Sequence, residues 1–200
     1  MTRWYSEKKK EHYYKQAKKV GYRARSAFKL KQIQKKYKLI KKDNVVVDLG
    51  AAPGGWSQVC KEIVGESGVV IGIDISPIDA IKDIKFLKGD LTEDSTIQDI
   101  KDIVGNKKID VILSDMSPDI SGNYSIDHSK SIWLCENALK IVDTLLKSNG
   151  NFVCKAFSGE YMDDFVKKTR EKFQIVKQFS PDASRKSSSE IYIIAKSYKS

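Results

Sequence analysis

Histidine is scarce in this chain, with two in 200 residues. Cysteine is nearly as rare: Cys60, Cys135 and Cys154 lie far apart inside apolar-periodic segments and form no ligand or redox pair. A structural zinc site needs such residues at short, regular spacing, so no metal is expected. The cysteines read instead as buried thiols of a reducing, cytoplasmic compartment. No apolar run approaches the roughly 20 residues that a membrane helix requires. The opening "MTRWYSEKKKEHYYKQAKK" lacks the apolar core of a secretory signal, and its Glu7 and Glu11 count against a transit peptide.

Acidic residues are missing where the cations gather. Residues 1–42 hold 16 Lys and Arg against 2 Glu, a net of +14, while the other 158 hold 20 basic and 24 acidic residues, a net of −4. Segregation this strong favours a polyanionic partner, with nucleic acid ahead of an anionic membrane surface. Residues 1–42 therefore read as a basic helical extension of a single domain whose remainder is 43–200. With 40% hydrophobic residues the chain can bury one α/β core and no more.

What is present is a regular alternation of apolar segments. Helices are expected over 7–20 and 26–39, separated by Gly21. "VVVDL" (45–49), "VVIGIDIS" (69–76), "IKFLKGDL" (84–91), "IDVILSDM" (109–116) and "GNFVCKAF" (150–157) read as strands. Helical stretches separate most of them, the clearest over 129–147. Strands alternating with helices imply βαβ crossovers and a mostly parallel sheet. "FQIVKQF" (173–179) and "EIYIIAKSY" (190–198) are joined without room for a helix, which suits an antiparallel pair.

In such sheets ligands bind beyond the carboxyl ends of the strands. Here those ends carry Asp48 with Gly50, then Asp74, Asp90, Asp115 and Lys155. One aspartate alone would be ordinary turn chemistry; four on one edge suggest a site. Lys155 interrupts the apolar run "NFVCKAF", where a lysine either snorkels to the sheet edge or has a chemical task. The turn "GAAPGG" admits two cofactors. It can be forced onto the dinucleotide fingerprint, with Asp74, 24 residues after Gly50, on a ribose. Yet Ala52 replaces the middle glycine and Pro53 removes a phosphate-binding N–H. The other candidate is a nucleoside cofactor without phosphates, S-adenosylmethionine, held by Gly50, Gly54, Asp74 and Asp90.

"GYRARSAFKL", "VVVDLGAAPGGWSQ", "SDMSPDISG", "FVCKAFSGE" and "PDASRKSSSEIYI" together resemble the FtsJ type of RNA ribose 2′-O-methyltransferase, in order, from about Tyr13 to Ala195. The resemblance implies the class I, Rossmann-like methyltransferase fold: a seven-stranded, mostly parallel sheet with the last strand antiparallel and helices on both faces. It implies a Lys-Asp-Lys-Glu catalytic tetrad at Lys29, Asp115, Lys155 and Glu190. It also implies S-adenosylmethionine contacts at Gly54, Trp56, Asp74, Asp90 and Asp115, with S-adenosylhomocysteine as product. The implied substrate is a uridine ribose in large-subunit ribosomal RNA, free or in the assembled subunit, with transfer RNA as the alternative. Lys29 and Glu190 gain their roles from the resemblance alone. RNA contacts are expected at Arg23 and Arg25, just before the helix bearing Lys29, and at Arg185 and Lys186. A monomer is expected. A nicotinamide oxidoreductase and a non-catalytic RNA-binding module are the competing readings.

Overall fold

The computed structural model describes residues 3–184 and 189–199. Its elements run α1 (Arg3–Val20), α2 (Ala27–Tyr37), β1 (Val45–Leu49), α3 (Gly55–Val64), β2 (Val69–Asp74), β3 (Lys85–Lys88) and α4 (Asp94–Val104). β4 (Ile109–Ser114), α5 (Tyr124–Leu145), β5 (Leu146–Phe157), α6 (Met162–Lys172), β6 (Phe173–Phe179) and β7 (Glu190–Tyr198) follow. The seven strands form one sheet in the order β3-β2-β1-β4-β5-β7-β6. β7 enters between β5 and β6 and runs antiparallel to both, while the β1–β2, β1–β4, β2–β3 and β4–β5 pairs are parallel. The expected sheet, with its antiparallel last strand, is therefore present. No described helix is long and apolar enough to cross a membrane.

The period-2 rule divides the core into two layers. Val45, Val47, Leu49, Ile71, Ile73, Ile112, Cys154 and Ile193 pack with residues of α4, α5 and α6. Val46, Val70, Val111, Leu113, Val153, Tyr192 and Ile194 pack with Ala27, Leu30 and Ile33 of α2 and with Trp56, Val59 and Cys60 of α3. Each large aliphatic side chain buried this way stabilises the fold by about 1.5–3 kcal/mol before entropy is counted. Helix α2 is thus bound to the body through an apolar stripe.

Several boundaries depart from the sequence pattern, and three of them have a visible cause. Helix α5 starts at Tyr124 rather than 129, because the Asn123 side chain accepts from Ser125 N–H (3.1 Å) and Ile126 N–H (3.3 Å) and caps it earlier. β3 stops at Lys88, before the turn in which Asp90 Oδ1 accepts from Thr92 N–H at 2.8 Å. β5 begins at Leu146, extended backward across a register shift in its pairing with β4.

Candidate active site

β1 and β4 are neighbours at the point where the strand order reverses, which is where an open parallel sheet leaves a crevice at its carboxyl edge. A cleft of about 390 Å³ opens there. Gly50 and Ala52 after β1, Asp74 and Ile75 at the end of β2, and Asp90 to Thr92 after β3 form one side. Asp115 to Ser117, with Trp133, Leu134 and Asn137 of α5, complete it.

Gly50 has φ +73°, and a Cβ there would lie 2.5 Å from Met116 Cγ, so only glycine fits without moving the cleft wall. Asp74 is fixed at both oxygens: Oδ2 accepts from Ala52 N–H at 3.0 Å and Oδ1 from Ser76 N–H at 2.8 Å. Each carboxylate oxygen keeps a further lone pair. Asp90 is held below the usual carboxylate pKa by the Thr92 main-chain N–H and then the Thr92 hydroxyl, so it is an anion at neutral pH. Gly54 and Trp56, also expected at the cofactor, are not among the cleft walls. Trp56 is buried, donates its Nε1–H to the Ser26 carbonyl at 2.9 Å and packs on the Tyr192 ring at 5.7 Å. Gly54 caps α3 in a left-handed conformation, φ +108°.

The four tetrad positions come together, and residue parity shows why. Lys155 follows Val153, Asp115 follows Leu113, and Glu190 precedes Tyr192 by two; in β-structure, such neighbours share a face. All three partners belong to the layer facing α2 and α3. Lys29 reaches the same place from α2. Its Nζ lies 2.7 Å from Glu190 Oε2, with Lys29 only 6% exposed. Lys155, also 6% exposed, places its Nζ 2.6 Å from the Asp115 carbonyl oxygen and 3.3 Å from Asp115 Oδ1.

Burial works to raise the Glu190 carboxyl. Lys29, then Lys155 and Arg25, overcome that effect and leave it below its ordinary pKa, so it stays ionised. Removing one partner of such a buried pair typically costs about 3–5 kcal/mol.

Tyr192 has no role in the sequence pattern, and Asp48, one of the four strand-end acids expected at the site, is not among the cleft walls. Tyr192 is directly opposite Lys155 in the β5–β7 register, and its hydroxyl donates to Asp115 Oδ1 at 2.8 Å. Burial first, then the charges of Asp115 and Glu190, push its pKa well up, which keeps it a neutral donor. Its place two residues after Glu190 was the available signal. Asp48 is fully buried on the α3 side; its Oδ2 accepts from Ser57 Oγ–H at 2.6 Å and its Oδ1 has no hydrogen-bond partner among the described residues. Burial pushes its pKa up to about 7, opposed by the Ser57 hydroxyl and reinforced by Asp115 and Asp74.

Of the residues expected to meet RNA, Arg25 lies close enough to act electrostatically on Glu190. Arg23 makes a different set of contacts. Its guanidinium donates to the main-chain carbonyls of Pro53 (3.3 Å), Asp79 (2.5 Å) and Ala80 (2.9 Å), tying the turn after β1 to the segment after β2. Arg185 and Lys186 lie outside the described residues.

Residues 22–198 match the family described as FtsJ-like methyltransferase. The chain is 46% identical over 200 residues to the ribosomal RNA large subunit methyltransferase E of Methanocaldococcus jannaschii, covering 98% of this chain and 82% of that protein. Against the protein of the same name from Pseudomonas fluorescens it is 46% identical over 196 residues, covering 98% and 94%. Among solved structures, a ribosomal RNA methyltransferase from Plasmodium falciparum superposes with a TM-score of 0.80 at 29% identity, covering 88% of this chain and 98% of that one. Fold, strand-end acids and sequence agree: the chain belongs to the FtsJ-like methyltransferase family.

Proposed function

We propose that this enzyme transfers a methyl group from S-adenosylmethionine to a ribose 2′-hydroxyl in large-subunit ribosomal RNA. The observation that carries the reading is the adjacency of two things: the cleft bounded by Asp74, Asp90 and Asp115, and the buried Lys29–Glu190 and Lys155–Asp115 pairs. Asp115 belongs to both.

The walls suit the donor. Asp74 and Asp90 offer carboxylate acceptors to ribose hydroxyls and an adenine amino group, and the glycine at 50 permits close backbone approach. Pro53 has no N–H for a phosphate, which favours a nucleoside ligand over a dinucleotide. When bound, S-adenosylmethionine supplies an electrophilic methyl on a positively charged sulfur. The chain's own residues do the rest. Lys155, held by both the main chain and the carboxylate of Asp115, acts on the attacking hydroxyl, either accepting its proton or orienting it. Tyr192 donates to Asp115 Oδ1, the same carboxylate oxygen that Lys155 approaches. Lys29 and Glu190 hold each other and the charge balance beside them.

Alignment of reacting atoms can lower such a barrier by about 7–11 kcal/mol, and a positioned proton acceptor adds roughly 10²–10⁴-fold. The chemistry requires a 2′-hydroxyl, so DNA is excluded as substrate. The basic first 42 residues support phosphate contacts, since the remaining chain is net negative.

The test is methyl transfer from tritiated S-adenosylmethionine to deproteinised large-subunit RNA, the intact subunit and transfer RNA, with the product digested in alkali. Label in an alkali-resistant dinucleotide from large-subunit RNA supports the reading. Label confined to transfer RNA moves the substrate, and label on a base overturns the reaction assignment.

A further inference from the structure

Beyond the end of β5 the chain builds an aromatic shelf that the chemistry above does not use. Tyr124 and Tyr161 are 60% and 47% exposed, yet both rings are registered on His128, which is 2% exposed. The Tyr124 and His128 rings are 12° from parallel with centroids 6.5 Å apart; Tyr161 and His128 are 7° from parallel at 5.6 Å. His128 is itself immobilised. Its Nε2 accepts from the Tyr161 main-chain N–H at 3.0 Å, so the proton is on Nδ1, which donates to the Phe157 carbonyl at 2.9 Å. Gly159 makes room for it, since a Cβ there would lie 2.5 Å from His128 Cγ.

The shelf is tied to the reactive strand end. The Tyr124 hydroxyl donates to the Ser158 carbonyl. Ser158, three residues past Lys155, donates through its N–H (2.8 Å) and its Oγ (3.1 Å) to the carbonyl of Ser189, the residue before Glu190. Ile120 and Ile126, which flank Tyr124 in sequence, are exposed as well. Single exposed apolar residues are ordinary, but rings held in fixed parallel planes beside a reaction centre form a preorganised surface.

Charge decides what such a surface takes. Within six residues of either tyrosine in the sequence, Asp119, Asp127, Glu160, Asp163 and Asp164 outnumber Lys130, Lys155 and Lys167, while the excess cations of the chain lie in residues 1–42. A phosphate is therefore drawn to the N-terminal segment and away from the shelf. A nucleobase offers an uncharged π face that stacks on tyrosine whatever its sequence. We propose that Tyr124 and Tyr161 stack on unpaired bases of the RNA strand next to the nucleotide being methylated. The inference rests on the function proposed above and assigns the recognised feature: a single-stranded segment with its bases turned outward.

The probe is a short single-stranded RNA carrying 2-aminopurine, compared with a strand of the same length built from abasic ribose phosphates. The wild-type protein should quench the fluorophore and bind the base-bearing strand at least about fivefold more tightly than the abasic one. Tyr124→Ala and Tyr161→Ala should each remove most of that preference, leaving affinity for the abasic strand and for S-adenosylmethionine unchanged. The His128 contact from Tyr161 is made by the main chain and survives either substitution. Tyr124→Phe and Tyr161→Phe, which keep the rings, should retain quenching. Alanine variants that quench and discriminate like the parent overturn the shelf. A parent that quenches normally but methylates no ribose speaks against the proposed function alone, because stacking is read independently of turnover.

Discussion

Lys155 Nζ sits 2.6 Å from the main-chain carbonyl of Asp115 and 3.3 Å from its carboxylate, so one residue holds the lysine by two groups. The carbonyl belongs to the strand framework and cannot swing away. Lysine carries about 2 kcal/mol of rotamer entropy, and anchoring by a fixed carbonyl removes that freedom before any substrate arrives. The side chain is thereby held against Asp115, which lines the cleft.

Lys155→Ala should lower methyl transfer by at least about 10²-fold while cofactor affinity stays near that of the parent, since the lysine acts on the hydroxyl in the transition state. Single-turnover rates alongside calorimetry separate the two effects. A variant with near-parental turnover would remove Lys155 from the chemistry.

Tyr192→Phe removes the hydroxyl that donates to Asp115 Oδ1 but keeps the ring against Trp56. Folding stability should fall by about 1 kcal/mol, and the rate should drop more modestly than in Lys155→Ala, because Lys155 still holds Asp115. Urea unfolding and turnover measured on the same preparation provide the check. A loss of rate as large as that of Lys155→Ala would make Tyr192 more than a positioning group.

Asp48 links stability to pH. Its carboxyl titrates near 3.9 in an unfolded chain but at about 7 in the folded protein. Between those values the native state keeps a proton that the unfolded state has released. Its contribution to stability is therefore complete below about pH 4, falls as pH rises toward 7, and is lost above that. Asp48→Asn, which mimics the protonated acid, should flatten this trend and raise stability at pH 8 by roughly 1–4 kcal/mol. Denaturant midpoints at pH 5 and pH 8 test it; equal pH slopes in the two proteins would exclude Asp48 as the titrating group.

Arg23→Gln and Arg25→Gln should behave differently. Arg23 ties Pro53, next to the cleft residue Ala52, to Asp79 and Ala80, so its loss should weaken S-adenosylmethionine binding by about 1 kcal/mol. Arg25, facing the tetrad, should instead hold RNA phosphate; replacing it should flatten the log–log salt dependence of RNA binding by about 0.7. Titrations at several salt concentrations would contradict this division if Arg23 alone changed the slope.

Asp74→Ala should weaken cofactor binding by roughly 1–3 kcal/mol, as expected for loss of a hydrogen-bonded carboxylate. Unchanged affinity by calorimetry would place Asp74 outside the binding site.

Local pattern determined much of this molecule. Valine-rich runs broken by glycine dictated the strands, and the short link between Phe179 and Glu190 dictated the antiparallel pair. Period-2 alternation fixes Lys155 to the face of Val153 and Glu190 to that of Tyr192, because parity is a property of the extended backbone, but only the assembled sheet puts those faces in one layer. Tertiary structure decided what no periodicity carries. Lys29 and Glu190 are 161 residues apart, and only the packing of α2 against the sheet brings Nζ and Oε2 to 2.7 Å. Trp56 lies in a helix that could face the cofactor or the core, and the fit against Tyr192 and Ser26 chose the core. Arg23 is expected at RNA from its place before α2, and nothing in the sequence shows that three carbonyls from the turns after β1 and β2 converge on it. Hydrogen bonds of this kind depend on where separate loops end in space, and sequence spacing holds no record of that.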